Sequence, residues 1–276
     1  NLLLILIFGS LIVDIFFSLI AYAPFIINDI EYTYDQNTRL IGLYGNRNIL
    51  ATIIFFKIPF VILLALKKRV KIISVFAFLI ISLAFFNISL LSSRATYLSI
   101  LICSIFLILT ISYLSFKHKE YIKKYLPHLL LFFAPLLIAF IMSNFAIDSN
   151  DEGAIVKRFS SITSTEDTSI STRLRYYSHS IEHVLKNPLL GGGIGNWKII
   201  SIKYDSENIQ NYIIPYNAHN DFLEAFAETG IFGGLLFLFF FLSIPYYLFL
   251  TYRNNLSIKF NENYLPILAL PFIVYF

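Results

Sequence analysis

Residues 48–116 read NILATIIFFKIPFVILLALKKRVKIISVFAFLIISLAFFNISLLSSRATYLSILICSIFLILTISYLSF. Three apolar runs, 48–66, 70–91 and 96–116, are separated by the basic cluster Lys67, Lys68, Arg69 and Lys71 and then by the short turn Ser92-Ser93-Arg94. Each run has the ~20 residues that an α-helix needs to cross a bilayer core about 30 Å thick. A helix surrounded by lipid needs no polar face, because its backbone hydrogen bonds are satisfied internally. This stretch sets the fold class: an all-α polytopic membrane protein.

The rest of the chain repeats the pattern. Further apolar runs cover about 1–23, 126–147 and 231–252, and another begins near 264. The chain is 57% hydrophobic and 14% charged, with a mean hydropathy of +0.72. A soluble domain carries about 25% charge, so the composition agrees with the runs. The net charge of +4 does not point to nucleic acid, since the basic residues lie in short loops that set topology. Cys103, the one cysteine, lies within an apolar run and excludes an intramolecular disulfide. A start at Asn1 and an end at Phe276 inside an apolar run are expected of a piece of a longer protein.

Charge orients the runs. The cluster at 67–71, a second at Lys117, Lys119, Lys123 and Lys124, and a weaker one at Arg253 and Lys259 all fall on one side if each run crosses once. The positive-inside rule makes that side cytoplasmic. The expected organisation is a single truncated membrane domain over 1–276. Residues 1–147 carry five membrane helices with an outward loop at 24–47, 148–230 form a large outward loop, and 231–276 return to the membrane.

The outward loop holds most of the chemistry. Residues 172–197 read TRLRYYSHSIEHVLKNPLLGGGIGNW and residues 217–234 read NAHNDFLEAFAETGIFGG. Leu174, Tyr177, Ile181 and Val184 recur at helical spacing, predicting a helix over 171–187 that Ser169 or Ser171 caps and Asn187-Pro188 ends. Gly191, Gly192, Gly193 and Gly195 permit a close backbone approach. Asn217 or Asn220 is placed to cap a short helix over 221–229, which Gly230 stops. Residues 148–170 and 199–214 show no clear period and read as mobile loops.

Several polar positions carry both a plain and a functional reading. Arg94 lies in a tight outward turn, against the orientation rule; a snorkelling side chain or a phosphate ligand accounts for it. Arg173 and Arg175 open a helix, where the macrodipole disfavours cations unless they are solvated or face an anion. Arg173 shares a face with Tyr177 and Ser180. His179-Ser180-Ile181-Glu182-His183 has the H-x-x-E-H spacing of inverted zinc peptidases. It lacks a third ligand on a following helix, so two polar positions on a surface helix are the plainer reading. His219 sits between Asn217, Asn220 and Asp221, and imidazole suits proton removal from a hydroxyl near neutral pH. Glu224 and Glu228 either face solvent or pair with Arg173 or Arg175. Asp14 and Lys57, inside apolar runs, fit snorkelling or interior pairing.

Taken in order, these residues resemble a known family. The segments Gly45-Asn46-Arg47-Asn48-Ile49-Leu50-Ala51 and Ser93-Arg94-Ala95 come first, then Arg173 with an aromatic residue four positions on. Asn187-Pro188-Leu189-Leu190-Gly191-x-Gly193 follows, then His219-Asn220-x-x-Leu223 and Glu228-Thr229-Gly230-Ile231-x-Gly233. The whole is similar to the O-antigen ligase/polymerase family over about residues 40–250, with Tyr177 in place of the usual tryptophan. The resemblance implies a GT-C-type helix bundle with short amphipathic helices in its outward loop. It also implies a glycosyltransferase with no metal and no cofactor, acting at the outer face of the bacterial cytoplasmic membrane. The donor would be an undecaprenyl-diphosphate-linked glycan, and the acceptor a glycan or a lipid A-core-like molecule.

Carried over by position, Arg94 and Arg173 would grip the donor diphosphate and His219 would serve the acceptor hydroxyl. Arg175, Tyr177, Gly191, Gly193, Asn220 and Glu228 would line the substrate. The rival reading is a transporter or flippase with the outward loop as a lid. Broken helices in paired halves would mark it, whereas the polar residues here gather outside the membrane and no repeat is visible.

Overall fold

A computed structural model describes residues 2–28, 30, 32, 39–68, 70–117, 120–146, 168–208 and 215–253. Among these residues the fold is all-helical, without strands. The helices are α1 (Leu2–Ile27), α2 (Arg47–Lys68), α3 (Lys71–Leu91), α4 (Arg94–Lys117), α5 (Glu120–Ala146), α6 (Thr168–Lys186), α7 (Trp197–Asp205) and α8 (Asp221–Arg253). Among the described residues six, all but α6 and α7, are long and apolar enough to cross a membrane. They match the expected runs to within a few residues, apart from the N-terminal extension of α8. The run expected from about 264 lies outside the described residues. So do Arg69, Lys119 and Lys259 of the charge pattern and the expected loop over 148–167.

The helices form two compact units, α1–α5 and α6–α8. In the first, α3 packs against both α2 and α5, and its C-terminal half is buried from Ile81 to Leu91 apart from Leu83. Phe85 meets Phe132 of α5 edge to face, with ring centroids 5.6 Å apart. Tyr32 donates to the carbonyl of Leu90 (2.9 Å) and Tyr22 to that of Ala146 (3.0 Å). Such bonds satisfy carbonyls near helix ends, where the helical ladder leaves acceptors unused.

Asp14 of α1 is almost fully buried, and Lys57 of α2 forms an ion pair with it. Tyr44, in a 3-10 turn over Gly42–Tyr44, donates to the other carboxylate oxygen (3.0 Å). Of the two plain readings of Asp14 and Lys57, interior pairing is the one observed.

The second unit begins with an amphipathic helix. α6 starts at Thr168, three residues before the expected start, so Ser171 lies inside it and Ser169 does not precede it. It ends where Asn187-Pro188 requires, the N–H of Asn187 donating to the carbonyl of His183 (2.9 Å). Helix α7 corrects, over 199–205, the reading of 199–214 as a loop, while 209–214 lie outside the described residues. Its buried side chains, Trp197, Ile200, Ser201 and Asp205, fall at i, i+3, i+4 and i+8, one helical face. Two of the four are polar, which hides the period from a count of apolar residues.

Candidate functional site: the polar unit α6–α8

Helix α8 contains a break that organises this unit. Gly230 sits at φ 72°, ψ −173°, separating a short polar segment, Asp221–Thr229, from the apolar run that follows. The expected stop at Gly230 is therefore present, within a helix that resumes at once. A break leaves carbonyls before it and amides after it without helical partners. The glycine turn after α6 supplies them. Gly192 and Gly193 donate to the carbonyls of Ala227 (2.9 Å) and Glu228 (2.8 Å), and Ile231 donates to the carbonyl of Pro188 (2.8 Å).

The close approach anticipated for the glycines is thus to the chain itself. Gly191 has φ 61°, and a Cβ there would stand 2.6 Å from both the carbonyl oxygen of Ala227 and the nitrogen of Gly230. Gly193 has φ 94°, and a Cβ on it would meet the side-chain amide of Asn196 at 2.7 Å.

Two of the three acidic residues of the short segment, Glu224 and Glu228, also hold backbone. Glu228 accepts from the N–H of Trp197 (2.9 Å), supplying at the start of α7 the acceptor that Asn196 does not provide. Glu224 accepts from the N–H of Ala218 (2.8 Å). Neither pairs with Arg173 or Arg175. Asn220 is the N-cap of α8, its side-chain oxygen accepting from Phe222 and Leu223 (both 3.1 Å).

His219 precedes that cap in a left-handed conformation, φ 58°, which a non-glycine residue adopts at a cost of about 1 kcal/mol or more. The hydroxyl of Tyr177 donates to its carbonyl (3.2 Å), and its ring lies parallel to that of Tyr176, centroids 6.1 Å apart. Among the described residues neither ring nitrogen of His219 has a hydrogen-bond partner. Burial by the surrounding atoms and then the positive charge of Arg173 hold the imidazole below its usual range. It is therefore neutral at pH 7.

The two arginines that open α6 differ sharply. The Nε of Arg175 lies 2.8 Å from a carboxylate oxygen of Asp205, which is almost fully buried. Arg175 thereby ties α6 to the last turn of α7. Arg173 is exposed and has no ion pair or hydrogen bond among the described residues. The sequence carries no clear signal for Asp205, because the buried face of α7 on which it lies is half polar.

The histidine pair of α6 is built into the packing. His183 is buried, contrary to its reading as a surface position. Its Nδ1 lies 3.2 Å from the hydroxyl of Tyr204, and burial, with Lys203 and Lys186, depresses its pKa. His179 stacks on the same Tyr204 ring and has Nδ1 4.0 Å from Asp205. Among the described residues no three side chains of metal-binding type converge.

Arg94, in the first unit, is the first residue of α4 and half-buried. The preceding Ser92 is left-handed at φ 43°, giving the tight turn expected between α3 and α4.

The fold and site define a multi-pass helical membrane protein with a polar unit in which Arg173, without an ion pair among the described residues, acts on a His219 of lowered pKa. The O-antigen ligase family model matches residues 77–238, a range that runs from α3 through the polar unit into α8, and the chain belongs to that family. Its members are glycan-transferring enzymes of surface polysaccharide synthesis, which sets this chain among enzymes rather than transporters. No curated protein and no solved structure gives a significant match.

Proposed function

We propose that the protein transfers a glycan from a polyprenyl-diphosphate-linked donor to an acceptor hydroxyl at the outer face of the cytoplasmic membrane. His219 accepts the hydroxyl proton through a ring nitrogen as the acceptor oxygen attacks the anomeric carbon. The bond from that carbon to the diphosphate oxygen breaks, and polyprenyl diphosphate leaves. Negative charge develops on the leaving group, so a cation placed there stabilises the transition state more than the ground state.

Arg173 is the donor-side cation, because its guanidinium has the planar donor set that matches phosphate and, among the described residues, no carboxylate engages it. For Arg94, in the turn between α3 and α4, a donor-side role is carried over from the resemblance alone. Tyr177 and Asn220 set the backbone on either side of the His219 ring. Gly191, Gly193, Glu228 and Arg175 act through the shape of the unit. No metal enters this scheme.

The observation that carries the reading is a His219 whose pKa is lowered by burial and by Arg173, together with an Arg173 that has no counter-ion among the described residues. Ligation and polymerisation share this chemistry and differ in the acceptor. The test is glycan complementation of a ligase- or polymerase-deficient host by the full-length parent. His219→Ala and Arg173→Ala should each abolish product while the protein remains in the membrane. Wild-type product from His219→Ala would overturn the base assignment, and loss of product on chelation would overturn the metal-free scheme.

A further inference from the structure

We propose that the turn over residues 188–196 is a membrane-inserting wedge, with Leu189, Leu190 and Ile194 seated in the lipid leaflet that α8 enters at Ile231. These side chains are among the most exposed large apolar groups of the chain, at 65%, 85% and 84%. Three such groups on one short turn would be costly in water and favourable in lipid.

The depth of the turn follows from its bonds. The carbonyl of Pro188 accepts from Ile231, and Gly192 and Gly193 donate to Ala227 and Glu228. The turn is therefore level with the break in α8, within about one helical turn of 5.4 Å. From Gly230 to Tyr252 no residue is charged, whereas Asp221, Glu224 and Glu228 all precede the break. The bilayer boundary along α8 thus lies at Gly230, and the turn is fastened to it. Between Asn187 and Trp197 the turn carries no charge that would resist insertion.

Helix α6 extends the same surface. Leu174, Ile181 and Leu185 are exposed and fall at i, i+7 and i+11, one face of the helix. On the other side Ser180 and His183 are buried. An amphipathic helix with one face in the protein and one apolar face free lies along a membrane interface. That placement holds the start of α6, with Arg173, at the level of lipid phosphates. The occupant is lipid rather than a partner protein, because the surface is fixed at the boundary where α8 passes into the bilayer.

The test uses the full-length protein in lipid nanodiscs, with Cys103→Ala so that single cysteines can carry a nitroxide. Leu190→Cys and Ile194→Cys are labelled separately, with Ser206→Cys, just beyond α7, as the aqueous control. Collision rates with dissolved oxygen and with a water-soluble nickel chelate are compared. The proposal expects an oxygen-to-nickel ratio above one at 190 and at 194, and below one at 206. A ratio below one at 190 and 194 would place the turn in water and overturn it. Shielding from both reagents would mean a protein cover and would overturn it too. If Leu190→Cys does not reach the membrane, Ile194→Cys decides alone. Failure of the catalytic assignment leaves this result untouched, since the measurement does not involve turnover.

Discussion

Gly191 and Gly230 face each other so closely that a Cβ on Gly191 would stand 2.6 Å from the nitrogen of Gly230. Both have positive φ, so two glycines thirty-nine residues apart permit one contact. The contact covers the break in α8 and fixes the polar segment that follows His219.

A graded series follows from this geometry. At Gly195 a Cβ meets open space, and alanine there pays only for its left-handed backbone, about 1 kcal/mol. At Gly193 the obstacle is the side-chain amide of Asn196, which can move. At Gly191 it is backbone on three sides, and alanine should cost more than about 2 kcal/mol. Thermal unfolding in detergent should rank the variants Gly195→Ala, Gly193→Ala and Gly191→Ala in increasing loss. An undisturbed Gly191→Ala protein would show that the turn does not need this contact.

The pH dependence of transfer should report the coupling of Arg173 to His219. The imidazole pKa is lowered first by burial and second by Arg173. A base must be neutral to accept a proton, so activity falls as pH drops through the pKa of His219. In the wild type that acid limb lies below the usual histidine value of about 6.5. Arg173→Gln removes one depressing influence and leaves the other, so the limb should move toward higher pH while the maximal rate falls. An acid limb that stays in place would mean that the two groups do not interact, and one that moves to lower pH would contradict the sign of their coupling.

Much of this was legible along the chain, and what was missed has a physical pattern. The spans were readable because lipid selects composition over about twenty residues. Asn187-Pro188 and Gly230 were readable because such stops depend on neighbours alone, and Asn220 was one of the two caps, with Asn217, that the local pattern offered. The resemblance put Arg173 at the diphosphate and Arg175 at the substrate lining, but nothing in the residues themselves said that Arg175 is tied into the fold: two positions apart on one helix, they look alike. Asp205, thirty residues on, distinguishes them, and it lies on a helix whose buried face includes serine and aspartate. Likewise Glu228 gave no sign that it caps α7 rather than meeting an arginine, because a capping contact between distant segments leaves no local signature.

That difference between the arginines predicts separable phenotypes. Arg175→Ala leaves the carboxylate of Asp205 buried without its partner. Arg175 is itself more than a third exposed, so the loss should be about 1–3 kcal/mol rather than the full cost of a buried pair. Arg173→Ala removes no ion pair or hydrogen bond among the described residues and should leave the melting temperature within about 1 °C, since surface changes of this kind lie within ~0.5 kcal/mol. Its effect should appear in turnover instead. Melting curves and product yields for the two variants give the comparison; a large fall in melting temperature for Arg173→Ala would place it in the fold and not at the donor.

In the first unit, Asp14, Lys57 and Tyr44 form a closed polar group inside the helices. Burial and the Asp14 carboxylate push the Tyr44 hydroxyl up to about 12, so it remains a donor to that carboxylate throughout the physiological range. Removing one charge of a buried pair leaves the other without compensation, a loss of about 3–5 kcal/mol, whereas removing both is close to neutral. Asp14→Asn keeps an acceptor for Tyr44 but strands the ammonium of Lys57. The amount of folded protein in the membrane should therefore fall for Asp14→Asn and return toward wild type for Asp14→Asn combined with Lys57→Met. The same double variant should retain glycan transfer, because the group holds α1 against α2 and has no part in the chemistry. If the double variant accumulates normally but yields no product, the pair has a role in transfer that its packing does not explain.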